Sequence, residues 1–215
     1  RINATNILGK AIYECKNHTK VWINGASATI YPHSLDKPMT ESNQVFDPGF
    51  SVDVCQKWEK SFHAYHTEGV RKVLLRIAIV LGNDGGAFIP LRNLTKAWLG
   101  GKQGPGNQMI SWLHEKDMAD IVQFCIENKN VSGVYNTAAP NPVRNDLFMK
   151  IMRKKLGKII GFPMPQILLK LGAKVIGTET ELILKSRNVV PENLLRTGYQ
   201  FNFPDIENAI GDLCQ

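Results

Sequence analysis

The chain has 215 residues, of which 43% are hydrophobic and 21% are charged, a composition typical of a globular protein with one domain or a domain and a subdomain. No apolar run approaches the roughly 18 residues that cross a bilayer, so we expect no membrane partner. The formal charge is +7, but the basic residues are dispersed and no recognisable nucleic-acid module accompanies them. We therefore expect no nucleic-acid partner, whereas a cationic cleft for a phosphate-bearing small molecule is consistent with the charge.

The first predicted element is a helix that starts at the beginning of the chain. Its apolar residues, among them Ile7 and Leu8, recur at helical spacing and are expected near one face. The periodicity is already present at Ile2 and no helix start signal precedes it. We therefore expect a further segment upstream of Arg1.

The next elements alternate between strand and helix. KVWIN at 20–24 predicts a buried strand bounded by Gly25. Residues 31–50 form a long aperiodic loop, a length typical of functional lids or mobile segments. Residues 51–69 predict a helix that ends at Gly69, and RKVLLRIAIVLG at 71–82 predicts a strand covered on both faces. This order predicts a parallel α/β sheet.

The second half continues the same alternation. GNDGG at 82–86 is a turn before a helix, and its spacing is not that of the G-x-G-x-x-G dinucleotide fingerprint. MISWLH and GVYNTAA predict strands, each followed by a predicted helix. Beyond Gly157 the pattern changes: prolines separate short helices, and the aromatic residues of the tail are spaced to dock on the main body.

Polar residues follow three predicted strands, where open α/β sheets bind their ligands. The three ends NGASATIY, GNDGG and LHEKD are expected along one rim. The hydroxyls of Ser27 and Thr29 can polarise a carbonyl or an alcohol, or they can serve only the turn backbone. His114 can titrate near neutral pH, or it can donate to the following helix or loop.

The four cysteines are widely spaced and form no C-x-x-C pair. This pattern predicts reduced thiols in a cytoplasmic protein and no metal site. Cys55 is expected to be a buried, inert thiol, unless its pKa is depressed.

Several segments together resemble one family. NGASATIY resembles the SSSATVYG stretch of the extended short-chain dehydrogenases/reductases, the NAD-dependent epimerase/dehydratase group, and LLRIAIVLG resembles their R-x-x-x-V-x-G strand beside the nicotinamide. SWLHEKDMADIVQFCIE and GVYNTAAPNPVRNDLF resemble the segments that follow. VCQKWEKSF and the C-terminal VVPENLLRTGYQFNFPDIENAI are similar to an epimerase subgroup whose members are sometimes named cell-division inhibitors. The resemblance covers nearly the whole chain.

The resemblance implies a fold and a division of the chain. The fold is a partial Rossmann-like, doubly wound parallel sheet with a small, mostly helical C-terminal substrate subdomain. Residues 1–85 would be the C-terminal part of the dinucleotide-binding domain without its first βαβ unit. Residues 86–215 would form the substrate subdomain, interleaved with the sheet around 109–139. The family's Gly-rich phosphate loop would precede Arg1, so we expect a chain without it to bind cofactor poorly.

The resemblance also implies a cofactor, NADP or NAD, a small-molecule substrate and a set of site residues. Ser27 matches the family's catalytic serine, at the same distance from the aromatic residue Tyr31. The family's Tyr-x-x-x-Lys pair is missing, because Ser51 and Cys55 stand at its two positions. The implied site comprises Ser27 as catalytic residue, Ala26, Leu81, Gly82 and His114 at the cofactor, and Thr29 and Tyr31 at the substrate pocket.

Three functions remain open from the sequence. The first is an NADP(H)-dependent oxidoreductase or epimerase that acts on a small hydroxylated or nucleotide-linked substrate. The second is a non-catalytic nucleotide-binding sensor or partner-binding protein, which the missing Tyr-x-x-x-Lys pair favours. The third is an inactive fragment. Because the pair that normally moves the proton is absent, the sequence leaves open whether the chain is an enzyme.

Overall fold

A three-stranded parallel sheet forms the centre of the protein, in a computed structural model that describes residues 1–15, 19–167, 169 and 184–215. The strands are β1 (Val21–Ser27), β2 (Arg71–Ile77) and β6 (Gly133–Thr137), with β2 in the middle. The predicted parallel α/β sheet is confirmed. Gly25 does not end the first strand as expected, because it pairs in register with Leu75 and the ladder continues to Ser27.

Two helices cover the β1 side of the sheet, α1 (Ile2–Glu14) and α2 (Phe50–His63). The apolar face expected on α1 is buried only in part: Ile7 is 69% exposed and Leu8 is 53% exposed, whereas Ile12 packs on the cluster that contains Trp22 and Phe62. Thr5 and Gly9 face inward instead. The Thr5 hydroxyl donates to Asn24 Oδ1 and accepts from the Trp58 indole, at 3.2 and 2.9 Å. A polar contact between helices thus decides the orientation of α1.

The predicted strand at 71–82 is two strands with a break at Ala78. The Ala78 amide donates to Thr137 O at 3.0 Å, and the next amide, Ile79, donates to Ser111 O at 3.2 Å. β3 (Ile79–Leu81) then pairs in parallel with β5 (Trp112–His114). The chain therefore changes partner in the middle of an uninterrupted apolar run.

The segment MISWLH is likewise divided, at Ser111. β4 (Met109–Ile110) pairs antiparallel with β7 (Val143–Arg144), whereas β5 belongs to the β3 ladder. The buried Ser111 hydroxyl donates to Arg187 O at 2.7 Å and accepts from the Val189 amide at 2.7 Å. This hydroxyl fixes the C-terminal segment to the strand break.

Five further helices lie within the described residues. α2 already ends at His63, and residues 66–69, expected as its last turn, lie outside it. The helices Glu192–Arg196 and Ile206–Leu213 follow Pro191 and Pro204, as the spacing of the prolines predicts. Residues 168 and 170–183, where a further short helix was expected, lie outside the described residues. The five helices are α3 (Phe88–Lys96), α4 (Glu115–Glu127), α5 (Asn145–Lys155), α6 (Glu192–Arg196) and α7 (Ile206–Leu213).

The aromatic tail docks on the main body, as expected. Tyr199 is buried and its ring meets that of Phe201 edge-on at 5.0 Å. The fully buried carboxylate of Asp117 on α4 accepts from the backbone amides of Asn202 and Phe203, at 2.7 and 3.0 Å. Charge-assisted bonds of this kind fix the tail more firmly than apolar contact alone.

The long loop at 31–50 is tied to the C-terminal segment. The Ser34 amide donates to Ser186 O and the Met39 amide to Asn188 O, at 3.2 and 2.6 Å. The Val190 amide donates a hydrogen bond to Met39 O at 3.0 Å. These bonds bring residues 186–190 to the carboxyl side of the sheet, near the end of β1. Of the residues that the structure describes, no helix combines the length and apolar character needed to span a bilayer.

Candidate functional site

Ser27 is the last residue of β1 and the N-cap of a short 3-10 turn, Ala28–Ile30. Its hydroxyl accepts from the Thr29 amide at 3.2 Å and donates to the Thr29 hydroxyl at 3.0 Å. Ala26, just before it, is buried. The structure therefore brings Ala26, Ser27 and Thr29 together, and the two hydroxyls cap the turn while they face each other.

Cys55 on α2 lies against this turn and forms a hydrogen bond with Ser27. Burial raises the pKa of the Cys55 thiol, and the negative charge of Glu59 raises it further. The bond from Ser27 and the charges of Arg1 and Arg187 oppose this rise without cancelling it. Cys55 therefore stays protonated near neutral pH, as expected of an inert buried thiol.

Tyr31 lies behind the turn, fully buried. Its hydroxyl accepts from Arg76 Nη1 and donates to Asn136 Oδ1, both at 2.8 Å. Arg76 is also bound in a bidentate pair by Glu59, at 2.9 and 2.8 Å. Burial lowers the pKa of Arg76, but the bonds and charges of Glu59 and Tyr31 outweigh it, so the pKa lies above its ordinary value. In this arrangement Tyr31 supports the turn from the interior.

A second cluster contains the other residues expected at the cofactor. Leu81 and His114 are buried partners in the β3–β5 ladder. Gly82 is packed so closely that an added Cβ would lie 2.2 Å from a Glu115 carboxylate oxygen. His114 Nδ1 accepts from the Lys116 amide at 3.1 Å, and its ring stacks on that of Phe203 at 3.9 Å.

The two clusters are separated along the sheet. Ile77 stands opposite Ser27 in register, and Leu81 follows four positions later, which corresponds to about 13 Å of extended chain. His114 Nε2 lies 3.2 Å from Asp212 Oδ2 of α7, under the C-terminal helix. Leu81 and His114 thus belong to the β3–β5 ladder, with Gly82 directly after it, whereas Ser27 belongs to the three-stranded sheet.

Two residues near the Ser27 turn were missed from the sequence. Ala78, at the break between β2 and β3, packs on the cluster that contains Tyr31 and Cys55. Arg187 is buried, and its charge reaches the Cys55 thiol. Ala78 lies in an apolar run, and such a run does not indicate where a strand breaks. Arg187 lies far along the chain in a segment without a motif, so the sequence did not indicate that it is near Ser27.

Ala26 and the Ser27 turn lie at the carboxyl end of β1, and Ala78 follows the carboxyl end of β2. Ligands of open α/β sheets bind beyond strand ends of this kind. The sequence contains neither G-x-G-x-x-G nor G-x-x-G-x-x-G, the spacings that cradle a pyrophosphate. The outer edge of β1 has no strand partner within the described residues. In the same residues, no group of three or more His, Cys, Asp or Glu could hold a metal ion.

Known proteins are similar to this chain along nearly its whole length. Residues 164–213 match a family described as "Domain of unknown function (DUF1731)". The chain is 32% identical over 214 residues to the epimerase family protein YfhF of Bacillus subtilis, covering 99% of the chain and 69% of that protein. It is 31% identical over 214 residues to mouse epimerase family protein SDR39U1, covering 99% of the chain and 72% of that protein.

A solved structure shares the fold over the same extent. The crystal structure of human epimerase family protein SDR39U1 (isoform 2) with NADPH superimposes with a TM-score of 0.91 at 28% identity. The match covers 99% of this chain and 71% of the human chain. The Rossmann-like fold class expected from the sequence is confirmed.

Proposed function

This chain belongs to the epimerase family, and from that premise we propose that it serves NADP(H)-dependent oxidation, reduction or epimerisation of a small hydroxylated or nucleotide-linked substrate. Ser27 is the proposed catalytic residue. The observation that carries the proposal is the position of its hydroxyl, at the carboxyl end of the parallel strand β1 and within a turn shared with Thr29. The NADPH seen with the human relative supports the choice of cofactor.

The proposed role of Ser27 is to bind the reacting oxygen of the substrate. When a nicotinamide is bound, it supplies hydride exchange with the substrate carbon. The Ser27 hydroxyl accepts from the Thr29 amide, so its own proton can turn from the Thr29 hydroxyl to a substrate oxygen. A hydrogen bond aimed at developing charge on that oxygen lowers the barrier, and such donors are worth about 100-fold in rate.

The proton transfer must differ from that of Tyr-x-x-x-Lys enzymes. Cys55 stands at the lysine position, and its raised pKa keeps it a neutral thiol. Ser51 stands at the tyrosine position, one helical turn earlier on α2, and an alcohol is a weak acid. In this proposal, therefore, the substrate's own groups or solvent take the proton while Ser27 holds the oxygen.

Residues 86–215 are proposed to recognise the rest of the substrate. Arg187 supports this division, because its buried charge lies close enough to affect Cys55 beside the catalytic turn. A guanidinium at that position suits a phosphate or carboxylate of a nucleotide-linked substrate. Residues 1–85 then supply the rim that faces the nicotinamide, with Ala26 and Ala78 on either side of Ser27.

A nucleotide-binding sensor is the second candidate. It is favoured by the two side chains that the structure describes in contact with Ser27, since Thr29 is an alcohol and Cys55 is a protonated thiol. In that case the same rim binds NADP(H), and occupancy is passed on through the loop at 31–50 and residues 186–190, which are bonded to each other.

The test combines calorimetry with turnover. NADPH and NADP+ are titrated into the 215-residue chain and into the protein that the complete reading frame encodes. The two proteins are then assayed for turnover of carbonyl compounds and sugar nucleotides. For an enzyme we expect binding, turnover, and a loss of kcat of about 100-fold in Ser27→Ala with little change in cofactor affinity. Binding without turnover selects the sensor. Absence of binding in both forms rejects the two candidates and leaves the inactive fragment.

A further inference from the structure

A groove lies between α5 and α7, on a part of the protein that the proposed catalytic turn does not use. It encloses about 1030 Å³ and contains none of Ser27, Thr29 or Cys55 in its lining. Its floor is apolar and buried, formed by Val143, Ile151 and Ile206. We call it the α5–α7 groove. Nothing in the proposed chemistry accounts for it.

Two apolar side chains stand at the entrance of the α5–α7 groove. Leu147 is 45% exposed and Ile159 is 94% exposed. Single exposed apolar residues are common on protein surfaces. Here, however, they continue an apolar floor outward into solvent, and a recessed apolar surface of this kind is typical of sites for helical segments of partner proteins.

One wall of the α5–α7 groove is basic. Lys150 and Lys154 are one turn apart on α5, and Lys158 follows the end of the helix. Lys150 forms no ion pair with any residue that the structure describes. Lys154 is 2.9 Å from Glu207, but both side chains are largely solvent-accessible, so this pair contributes little. Lys158 Nζ lies 4.4 Å from the centroid of the exposed Trp98 ring. An acidic partner therefore meets Lys150 directly, and at Lys154 it would replace the solvent-accessible pair with Glu207.

The opposite wall carries the opposite charge. Asp205 and Glu207, at the start of α7, line it together with Asn208. A lipid bilayer would present the same negative charge to both walls and could not enter the recess. A second copy of this chain, with a net charge of +7, is also a poor electrostatic match. The charge pattern fits a narrow segment whose acidic flank faces α5.

We propose that the α5–α7 groove docks an amphipathic helical segment of a partner protein, with apolar side chains on the floor and Asp or Glu residues against Lys150, Lys154 and Lys158. Apolar anchors at helical spacing would fill the floor between Leu147 and Ile159, and the lysines would set the orientation of the segment. The docking site is independent of Ser27 and of any cofactor.

The probe is a random peptide library displayed on phage, with peptides of about 16 residues, which is about 24 Å of helix. The groove variant is the double change Ile159→Asp and Lys150→Glu. The matched control is Ile126→Asp with Lys129→Glu, an equivalent pair of exposed positions at the end of α4. Circular dichroism and thermal unfolding verify that both variants fold, and fluorescence anisotropy measures the selected peptides.

We expect enriched peptides to carry Asp or Glu and apolar residues at helical spacing. Their affinity should fall about tenfold or more in the groove variant, because one apolar contact at the entrance is lost and one lysine contact is reversed in charge, and stay unchanged in the control. Replacing their acidic residues by Lys should abolish binding. The proposal is overturned by failure to enrich any peptide over the groove variant, or by peptides that tolerate charge reversal. It is equally overturned if the chain binds phosphatidylserine vesicles through Ile159 and no peptide at all.

Discussion

The guanidinium of Arg76 on β2 donates two parallel hydrogen bonds to the carboxylate of Glu59 on α2, at 2.9 and 2.8 Å. The two side chains are only 7% and 11% exposed. The same guanidinium donates to the Tyr31 hydroxyl at 2.8 Å. A helix, a central strand and the segment that follows β1 are therefore joined behind Ser27, and this cluster supports the position of the Ser27 turn.

Removing one partner of the Arg76–Glu59 pair should lower the free energy of unfolding. Glu59→Ala leaves the Arg76 charge buried without its partner, and such changes cost about 3–5 kcal/mol of unfolding free energy. The matched control is Asp53→Ala, which removes the exposed partner of Lys57 on the same helix and should cost at most about 1 kcal/mol. Urea unfolding measures both. Equal losses of unfolding free energy in the two variants would show that the buried pair stabilises the fold no more than the exposed pair does.

Tyr31→Phe tests the second half of the cluster. Removing the hydroxyl leaves one Arg76 N–H and the Asn136 carbonyl oxygen without this partner, at a cost of about 1–3 kcal/mol. Tyr13→Phe, at an exposed tyrosine of α1, is the control and should be neutral. If Tyr31→Phe leaves stability unchanged but impairs substrate binding, Tyr31 belongs to the substrate pocket after all, as the sequence alone suggested.

Gly101 should not tolerate a side chain. An added Cβ would lie 2.5 Å from the backbone of Phe162 and Pro163, at a point where the Gly101 amide donates to Phe162 O. Backbone cannot move aside as a flexible side chain can, so Gly101→Ala should destabilise the protein by about 1–3 kcal/mol or more. Gly85→Ala, with nothing within 4 Å of the added atom, is the control. A neutral Gly101→Ala in thermal unfolding would contradict the close approach of these two segments.

The free energy of unfolding should fall at alkaline pH, because the buried Cys125 thiol resists ionisation in the folded protein. Burial raises the pKa of its thiol to about 11 in the folded protein, against about 8.5 in an unfolded chain. The stabilisation is therefore complete below about pH 8.5 and is lost as the pH rises towards 11, with an upper limit of about 3–4 kcal/mol.

The comparison of Cys125→Ala with the wild type isolates this effect, because other groups titrate equally in both. Unfolding free energies measured between pH 8 and 11 should decline less steeply in Cys125→Ala. Cys15→Ala, at an exposed cysteine, should retain the wild-type slope. Parallel pH profiles for Cys125→Ala and the wild type would mean that the thiol is not excluded from ionising in the folded state.

The sequence predicted what depends on periodicity and chain order. The alternating elements identified the parallel sheet, and the spacing of tail residues such as Tyr199 predicted their docking. The sequence did not predict where strands change partner. The break at Ala78 lies within apolar residues, and only the competing bonds to Thr137 and Ser111 create it.

The site was predicted in part, for a similar reason. Local motif spacing placed Ser27 and Thr29 in one turn, which the structure also has. The sequence placed Leu81 and His114 on the same rim, and the structure pairs them with each other in the separate β3–β5 ladder. Arg187 is brought towards the Ser27 turn by the hydrogen bonds that Ser111 and the loop at 31–50 form with its segment. These contacts are tertiary, so no local sequence pattern indicates them.

The most direct test of the central claim, that the Ser27 turn faces a nicotinamide, needs no substrate. Amide chemical shifts of the nitrogen-15-labelled chain are followed by NMR during titration with NADPH and with NADP+. We predict that the amides of Ala26, Thr29 and Ala78 shift, and by different amounts for the two redox forms, because the ring current and charge differ only at the nicotinamide. Unchanged shifts at these three amides, in a titration where other amides of the protein respond to the ligand, would contradict the claim.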